Sequence, residues 1–312
     1  MSMYFLKKVG LALAESFGGF QLTPSPRLVM TLLVKNEEDV LEDNLLFHKA
    51  MGVDCFIITD NNSTDRTPDI IRKYQEKGWV KEVIWEKATN YKQKVWVDRM
   101  IWKAKTVYKA DWVINADADE LWYSPSGNLK NDLSATHSNV LKCEVRSVYP
   151  EEDKPFWQWN KMVKTVPQPE QYDLSLYSLF DHQNKKVIHR TKCYLQISMG
   201  NHKVTMFPRR SELGKVHVYH YNIRGKRHFM EKMINGGKQL EQNPSKHGGC
   251  HWRYFYQMYK EGKLEMEYGR VIGTPVYDRL CKDGFIYVDN TIPDFFRKVM
   301  RRRCVKKHTF FF

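Results

Sequence analysis

Asp117, Asp119 and Glu120 put three carboxylates into four residues of the stretch Asp111 to Trp122, DWVINADADELW. Acids this crowded repel one another unless a positive charge sits among them. A hard divalent cation meets that need. It takes oxygen ligands from one or two carboxylates and leaves its other positions to substrate phosphates. Directly upstream, Trp112-Val113-Ile114 has the aromatic and β-branched composition of a short buried strand. The acids therefore stand just past a strand end, where the plainer reading is a polar loop. The rest of the chain has to decide between the two.

The elements before this stretch repeat one pattern. Arg27 to Val34 (RLVMTLLV) is an apolar run of strand length behind Pro24 and Pro26. Asn36 is placed to cap a following helix, with Glu37, Glu38 and Asp39 in its first turn and Val40, Leu41, Leu45 and Phe47 on its apolar side. Val53 to Thr59 predicts a second strand, Asp60 to Asp65 a polar turn, and Thr67-Pro68 a helix start. Val80 to Trp85 predicts a third strand and Gln93 to Tyr108 a third helix, where Lys94 and Asp98 fall within ion-pair reach of each other. Such alternation with short connections predicts an α/β fold, a mostly parallel sheet with helices on both faces. Ligands of such sheets bind beyond the carboxyl ends of the strands. The polar clusters 35–38, 60–65 and 117–120 all fall at those ends. No G-x-G-x-x-G follows the first strand and no G-x-x-x-x-G-K-[ST] occurs, which argues against a dinucleotide-binding Rossmann enzyme and a P-loop NTPase. A nucleotide held through a metal and side chains remains.

The 312 residues suffice for one large or two small domains, and no run of about 18 apolar residues is present to span a membrane. Lys7 and Lys8 precede an apolar patch that Glu15 breaks too early for a secretory signal, so no export is expected. The six cysteines are scattered without a C-x-x-C, as befits reduced thiols in a cytosolic protein. The net charge of +14 points to an anionic partner: nucleic acid, a membrane surface or a phosphate-bearing substrate. Seven Lys/Arg against one Asp fall in residues 293–312. A helix over 292–307 would set Phe295, Phe296, Val299 and Met300 against Arg297, Lys298, Arg301 and Arg302, a pattern that suits the interface of an anionic membrane. Phe310, Phe311 and Phe312 would add apolar contact. The other reading is a helix docked on the protein itself. No nucleic-acid module accompanies the charge, so no nucleic acid is expected.

The order LLVKNEEDVLEDNLLFHKAMGVDCFIITDNNSTDRT and then NADADELW resembles the nucleotide-sugar half of family 2 glycosyltransferases of GT-A fold. It is nearest the bacterial-type subgroup whose first motif is K-N-E and whose metal motif reads D-x-D-E. The match is good over 27–125 and looser through KVIHRTK, MGNHKV and VHVYHYNIRGKRHFMEKMINGG to about residue 240. The resemblance implies a Rossmann-like GT-A domain behind a lead at 1–26, with 27–125 as its nucleotide-sugar half and 126–245 as its acceptor half. Residues 246–312 form a helical, basic extension. It also implies transfer from a nucleotide-sugar donor, a UDP-sugar first, to a hydroxyl of a glycan or glycolipid such as lipopolysaccharide or capsule, with inversion. The place would be the cytoplasm or the inner face of the cell membrane. The rival reading is a non-enzymatic basic α/β protein that binds nucleic acid or an anionic membrane, its acids merely capping turns.

By that resemblance Asp60 meets the nucleotide base, and Glu37 and Asp98 contact the nucleotide. Asp119 ligates Mn2+ or Mg2+, while Asp117 reaches the ribose or a metal-bound water. The cation would neutralise charge on the departing diphosphate, and Glu120 would orient the loop. The plainer alternatives are an Asx-turn for Asp60 and helix capping for Glu37. Two carboxylates supply few ligands, so a histidine is expected to join them, His220 first and His202 next. His217 and His220 face opposite sides of a strand, so only one can serve. Inversion needs a general base on the acceptor hydroxyl. Glu151-Glu152-Asp153 follows the predicted strand 140–148 in the right region but without the family's usual E-D pattern, and Asp153 is the choice.

Overall fold

A computed structural model describes residues 3–17, 19–88, 93–241 and 249–308. The chain forms two compact units, one of Met1–Val145 with Asn184–Tyr219, the other of Arg146–Gln183 with His220–Phe312. In chain order the first unit opens with α1 (Met3–Ser16). It then alternates β1 (Leu28–Val34), α2 (Leu41–Ala50), β2 (Cys55–Asp60), α3 (Thr67–Glu76), β3 (Val80–Trp85), α4 (Gln93–Thr106) and β4 (Trp112–Ala116). β5 (Glu120–Tyr123), α5 (Leu129–Ser134) and β6 (Val140–Val148) follow, and β7 (Lys161–Val163) lies in the second unit. The chain re-enters the first with β8 (Lys186–Arg190), β9 (Tyr194–Ile197), β10 (Val204–Met206) and β11 (Ser211–His220). It ends in the second with α6 (Lys226–Glu241), α7 (Cys250–Lys260), α8 (Leu264–Ile272), α9 (Tyr277–Lys282), β12 (Ile286–Val288) and α10 (Thr291–His308).

The expected α/β arrangement is present in the first unit. β1 lies parallel to β2 and β4, and β2 parallel to β3. β8 joins β4 antiparallel, and β6 joins β8 antiparallel, so the order is β6-β8-β4-β1-β2-β3. β1, β2 and β4 are buried almost throughout, as parallel strands covered on both faces must be. On one face Val29, Ile57 and Val113 pack with Val97, Met100, Ile101 and Ala104 of α4 and Ala12 of α1. Met30, Phe56, Ile58 and Ile114 alternate to the other face and are just as buried. Each such side chain contributes about 1.5–3 kcal/mol on leaving water.

One element starts later than its sequence suggests. Asn36 does not cap α2, which begins at Leu41, because Asn36 takes a left-handed φ of 55° that no helix accommodates. Residues 36–38 instead latch onto the loop after β2. Asn36 Oδ1 accepts the Thr64 N–H at 2.8 Å, and Ser63 Oγ accepts the Asn36 N–H at 2.9 Å. Thr67 Oγ1 accepts the Glu37 N–H at 2.8 Å, and Glu38 Oε2 accepts the Arg66 N–H at 2.9 Å. Glu42 and Asp43 take the acidic first turn that Glu37 to Asp39 were expected to fill.

In the second unit β7 pairs with Ser147 and Val148 of β6 and with β12. Phe229, Met233, Phe255, Tyr268 and Leu280 form its core. α6 and α7 approach closely at Gly236 and Gly237, where a Cβ would come within 2.6 Å of Trp252 and 2.2 Å of Tyr256. Ile292 and Phe296 of α10 are buried, and Phe296 stacks on Trp157 with ring centroids 5.5 Å apart. The start of the tail helix thus docks on protein, and Phe296 is withdrawn from the face expected to meet a membrane. The side chains of Met300, Arg301 and Arg302 and all of Phe310, Phe311 and Phe312 lie outside the described residues. Among the described residues no helix is long and apolar enough to cross a membrane.

Candidate active site

The acidic turn joins β4 to β5, and α2 holds its backbone. Asn44 and His48 lie one turn apart on the buried side of that helix. Asn44 Nδ2 donates to Ala118 O at 2.8 Å and to Glu120 O at 2.9 Å. His48 Nε2 accepts the Trp122 N–H at 3.0 Å, so the proton of the neutral ring is on Nδ1. Nδ1 faces Asn44 O at 2.9 Å and Asn44 Oδ1 at 3.0 Å, and the second contact turns the amide nitrogen of Asn44 towards the turn. Burial pushes the imidazole down to about 3, outweighing the Asn44 carbonyl, so His48 stays neutral at pH 7.

The side chains of the turn are held from β8. Pairing of Ile114 with Ile188 brings the start of that antiparallel strand level with the end of β4. Lys186, fully enclosed there, reaches Asp117 Oδ2 at 3.0 Å and also pairs with Glu120 Oε1. Burial alone would favour the neutral amine. The charges of Asp117 and Glu120 outweigh it and raise the Lys186 pKa above the ordinary lysine value. Glu120 is itself 0% exposed, and its Oε2 accepts from Asp117 N at 3.3 Å and Trp122 Nε1 at 3.2 Å. This geometry suits an orienting role. Asp119 is buried, whereas the Asp117 side chain is 39% exposed.

Asp60 ends β2 on the same rim, since β1 runs parallel to both β2 and β4. Its Oδ1 accepts the Ser63 N–H at 3.0 Å, which is the turn role. Its Oδ2 is buried and has no hydrogen-bond partner among the described residues. Glu37 lies half-buried on this rim, its backbone latched to Thr67. His202 is half-buried, with Nδ1 at 3.2 Å from the carbonyl of Lys185, the residue before Lys186. Asn201 Nδ2 ties that segment to Asn115 O at 2.5 Å and Val187 O at 3.0 Å. Among the described residues no three His, Cys, Asp or Glu side chains are gathered as a metal-holding set.

Asp98 is engaged by residues of α1 and β9. Asp98 does not pair with Lys94, which is exposed. Lys8 of α1 takes Asp98 Oδ2 at 2.5 Å and Tyr194 OH donates to Oδ1 at 2.7 Å, so Asp98 docks the N-terminal helix. Burial lowers the Lys8 pKa, and Asp98 offsets only part of that. His217 is in the first unit, whereas His220 and Asp153 belong to the second. Asp153 is exposed, while its neighbours hold structure. Glu151 accepts from Lys154 Nζ and Asn160 N, both at 2.9 Å, and Glu152 Oε1 from Lys226 N and Tyr268 OH, both at 3.1 Å. Sequence reasoning missed Lys186, Asn44 and His48. The i, i+4 spacing of the last two on an otherwise apolar helix side was the available signal.

A model of glycosyltransferase family 92 matches residues 32–261. No curated protein matches the sequence. Among solved structures, the mannosyltransferase PcManGT from Pyrobaculum calidifontis, in complex with GDP-Man and Mn2+, is 13% identical with a TM-score of 0.41, over 90% of this chain and 83% of that one. S. aureus TarS is 15% identical with a TM-score of 0.39, and the match covers 76% of this chain but 43% of TarS. TarS 1–349 in complex with UDP is 14% identical with a TM-score of 0.37, over 78% of this chain and 71% of that one.

Proposed function

The chain belongs to glycosyltransferase family 92, and we propose that it moves one sugar from a nucleotide-sugar donor, a UDP-sugar first, to a hydroxyl of a surface glycan or glycolipid. The family is distinct from the family 2 subgroup that K-N-E and D-x-D-E resembled; glycosyl transfer is common to both. The observation that carries the reading is the shared rim. A clamped acidic turn at the end of β4 lies two strands from Asp60, whose buried Oδ2 still has hydrogen-bonding capacity.

Asp117 and Asp119 offer the hard oxygen donors that Mn2+ or Mg2+ prefers, and one of them faces solvent. The two carboxylates fit a cation that completes its shell with water and donor phosphates, and His202 or His220 is the candidate third ligand. When bound, the cation supplies Lewis-acid stabilisation of the leaving diphosphate. Asp60 Oδ2 would take the base, Glu37 would flank the nucleotide, and Asp153 would serve as base towards the acceptor, with inversion. We leave Asp98 outside the donor site because Lys8 and Tyr194 hold both its oxygens. Scattered cysteines favour a cytoplasmic setting. Peripheral membrane contact would rest on the exposed bases of α10, such as Arg297 and Lys298.

The test is a screen of UDP- and GDP-sugars that reads nucleoside diphosphate release with Mn2+ and with chelator. Release from one donor that stops on chelation is expected. No release, together with a melting temperature indifferent to every nucleotide and cation pair, would overturn the reading.

A further inference from the structure

Three carboxylates in one turn need a positive charge before any ligand arrives, and β8 supplies one. Lys186 is enclosed by protein, touches Asp117 at 3.0 Å, and also pairs with Glu120. Glu120 in turn holds the Asp117 N–H and the Trp122 indole. Lys186 thereby connects the side chains of Asp117 and Glu120, while Asn44 and His48 hold the backbone of the turn.

We propose that Lys186 is a resident counter-cation: a positioning residue that forms the acidic turn without metal and shares Asp117 with a divalent cation once the donor binds. The inference rests on the metal reading above and adds a reason for donor affinity. The turn carries three formal negative charges. Lys186 offsets one unit of that charge and a divalent cation two, so each lessens the repulsion that a diphosphate meets on reaching the site. Without Lys186 the turn is more negative by one unit and repels the donor more strongly. A metal alone could not keep the turn formed between catalytic cycles, whereas a tethered ammonium can.

The test compares the intact chain with Lys186→Met, Lys186→Arg and the double variant Lys186→Met/Glu120→Gln. Melting is followed alone, with Mn2+, and with Mn2+ and UDP, and UDP affinity is read by calorimetry in Mn2+. Lys186→Met should melt on the order of 10 °C lower, because the buried Glu120 and the part-exposed Asp117 both lose this ammonium. Mn2+ should raise its melting temperature more than that of the wild type, and UDP affinity should fall about 10-fold or more. Lys186→Arg should melt close to wild type, and the double variant should regain most of the loss. Wild-type melting and a wild-type Mn2+ gain in Lys186→Met would overturn the proposal. So would a double variant no more stable than the single one, and that comparison holds even if Lys186→Met does not fold. A wild-type protein indifferent to Mn2+ with UDP would overturn the metal reading instead, while rescue by Glu120→Gln would still report the hold of Lys186 on the turn.

Discussion

His48→Phe keeps a flat aromatic ring, somewhat larger than imidazole, but removes both nitrogens from a fully buried site. The Trp122 N–H then has no acceptor, and an orphaned buried group of this kind costs about 1–3 kcal/mol. The loss should depend on pH in a defined direction. In the fold His48 titrates at about 3 against 6.5 for an ordinary histidine. Below pH 6.5 the unfolded chain therefore takes up a proton that the native state refuses. The contribution of His48 is complete above that value and declines as pH falls towards 3, by about 1.4 kcal/mol per pH unit. Carboxylates titrate alike in both proteins and cancel in the difference. A gap of about 2 kcal/mol at pH 7 should close near pH 5, and below that the phenylalanine variant should be the more stable. Urea unfolding of both proteins at pH 7, 6, 5 and 4.5 measures the gap. Parallel stability curves across that range would refute the neutral clamp, and so would a variant as stable as wild type at pH 7.

Asp119→Asn should lose turnover by about 10²-fold with melting unchanged, since a negative ligand goes and the shape stays; full activity in chelator would count against the metal. Asp60→Asn keeps an acceptor for the Ser63 N–H but changes the character of the second atom, whose buried oxygen lacks a hydrogen-bond partner among the described residues. It should weaken nucleotide binding by calorimetry while leaving stability equal or higher, and unchanged affinity would return Asp60 to a turn role. Phe296→Ala should destabilise the lipid-free protein by about 3 kcal/mol, because it vacates a buried site against Trp157. Unchanged denaturant unfolding would mean that the tail helix is not docked in solution.

The parallel strands were legible because β1, β2 and β4 are covered on both faces, which leaves continuous apolar runs in the sequence. Asn36 looked like a cap because capping is a local property. Its actual bonds go to Ser63 and Thr64, residues that proximity in sequence cannot supply. The ion pair of Lys94 with Asp98 failed for the same reason: Lys94 stands one helical turn away, but Lys8, 90 residues distant, makes the bond. The amphipathic tail showed that one face would be covered without saying by what, and Trp157 covers part of it. The acidic turn is the most instructive case. Crowded carboxylates require a positive charge, and that requirement is readable from Asp117, Asp119 and Glu120 alone. It has two solutions, a bound cation or a lysine. The register that sets Ile114 opposite Ile188 brings Lys186 to Asp117 and Glu120, so the lysine meets the first part of the requirement and a cation is needed only for what remains.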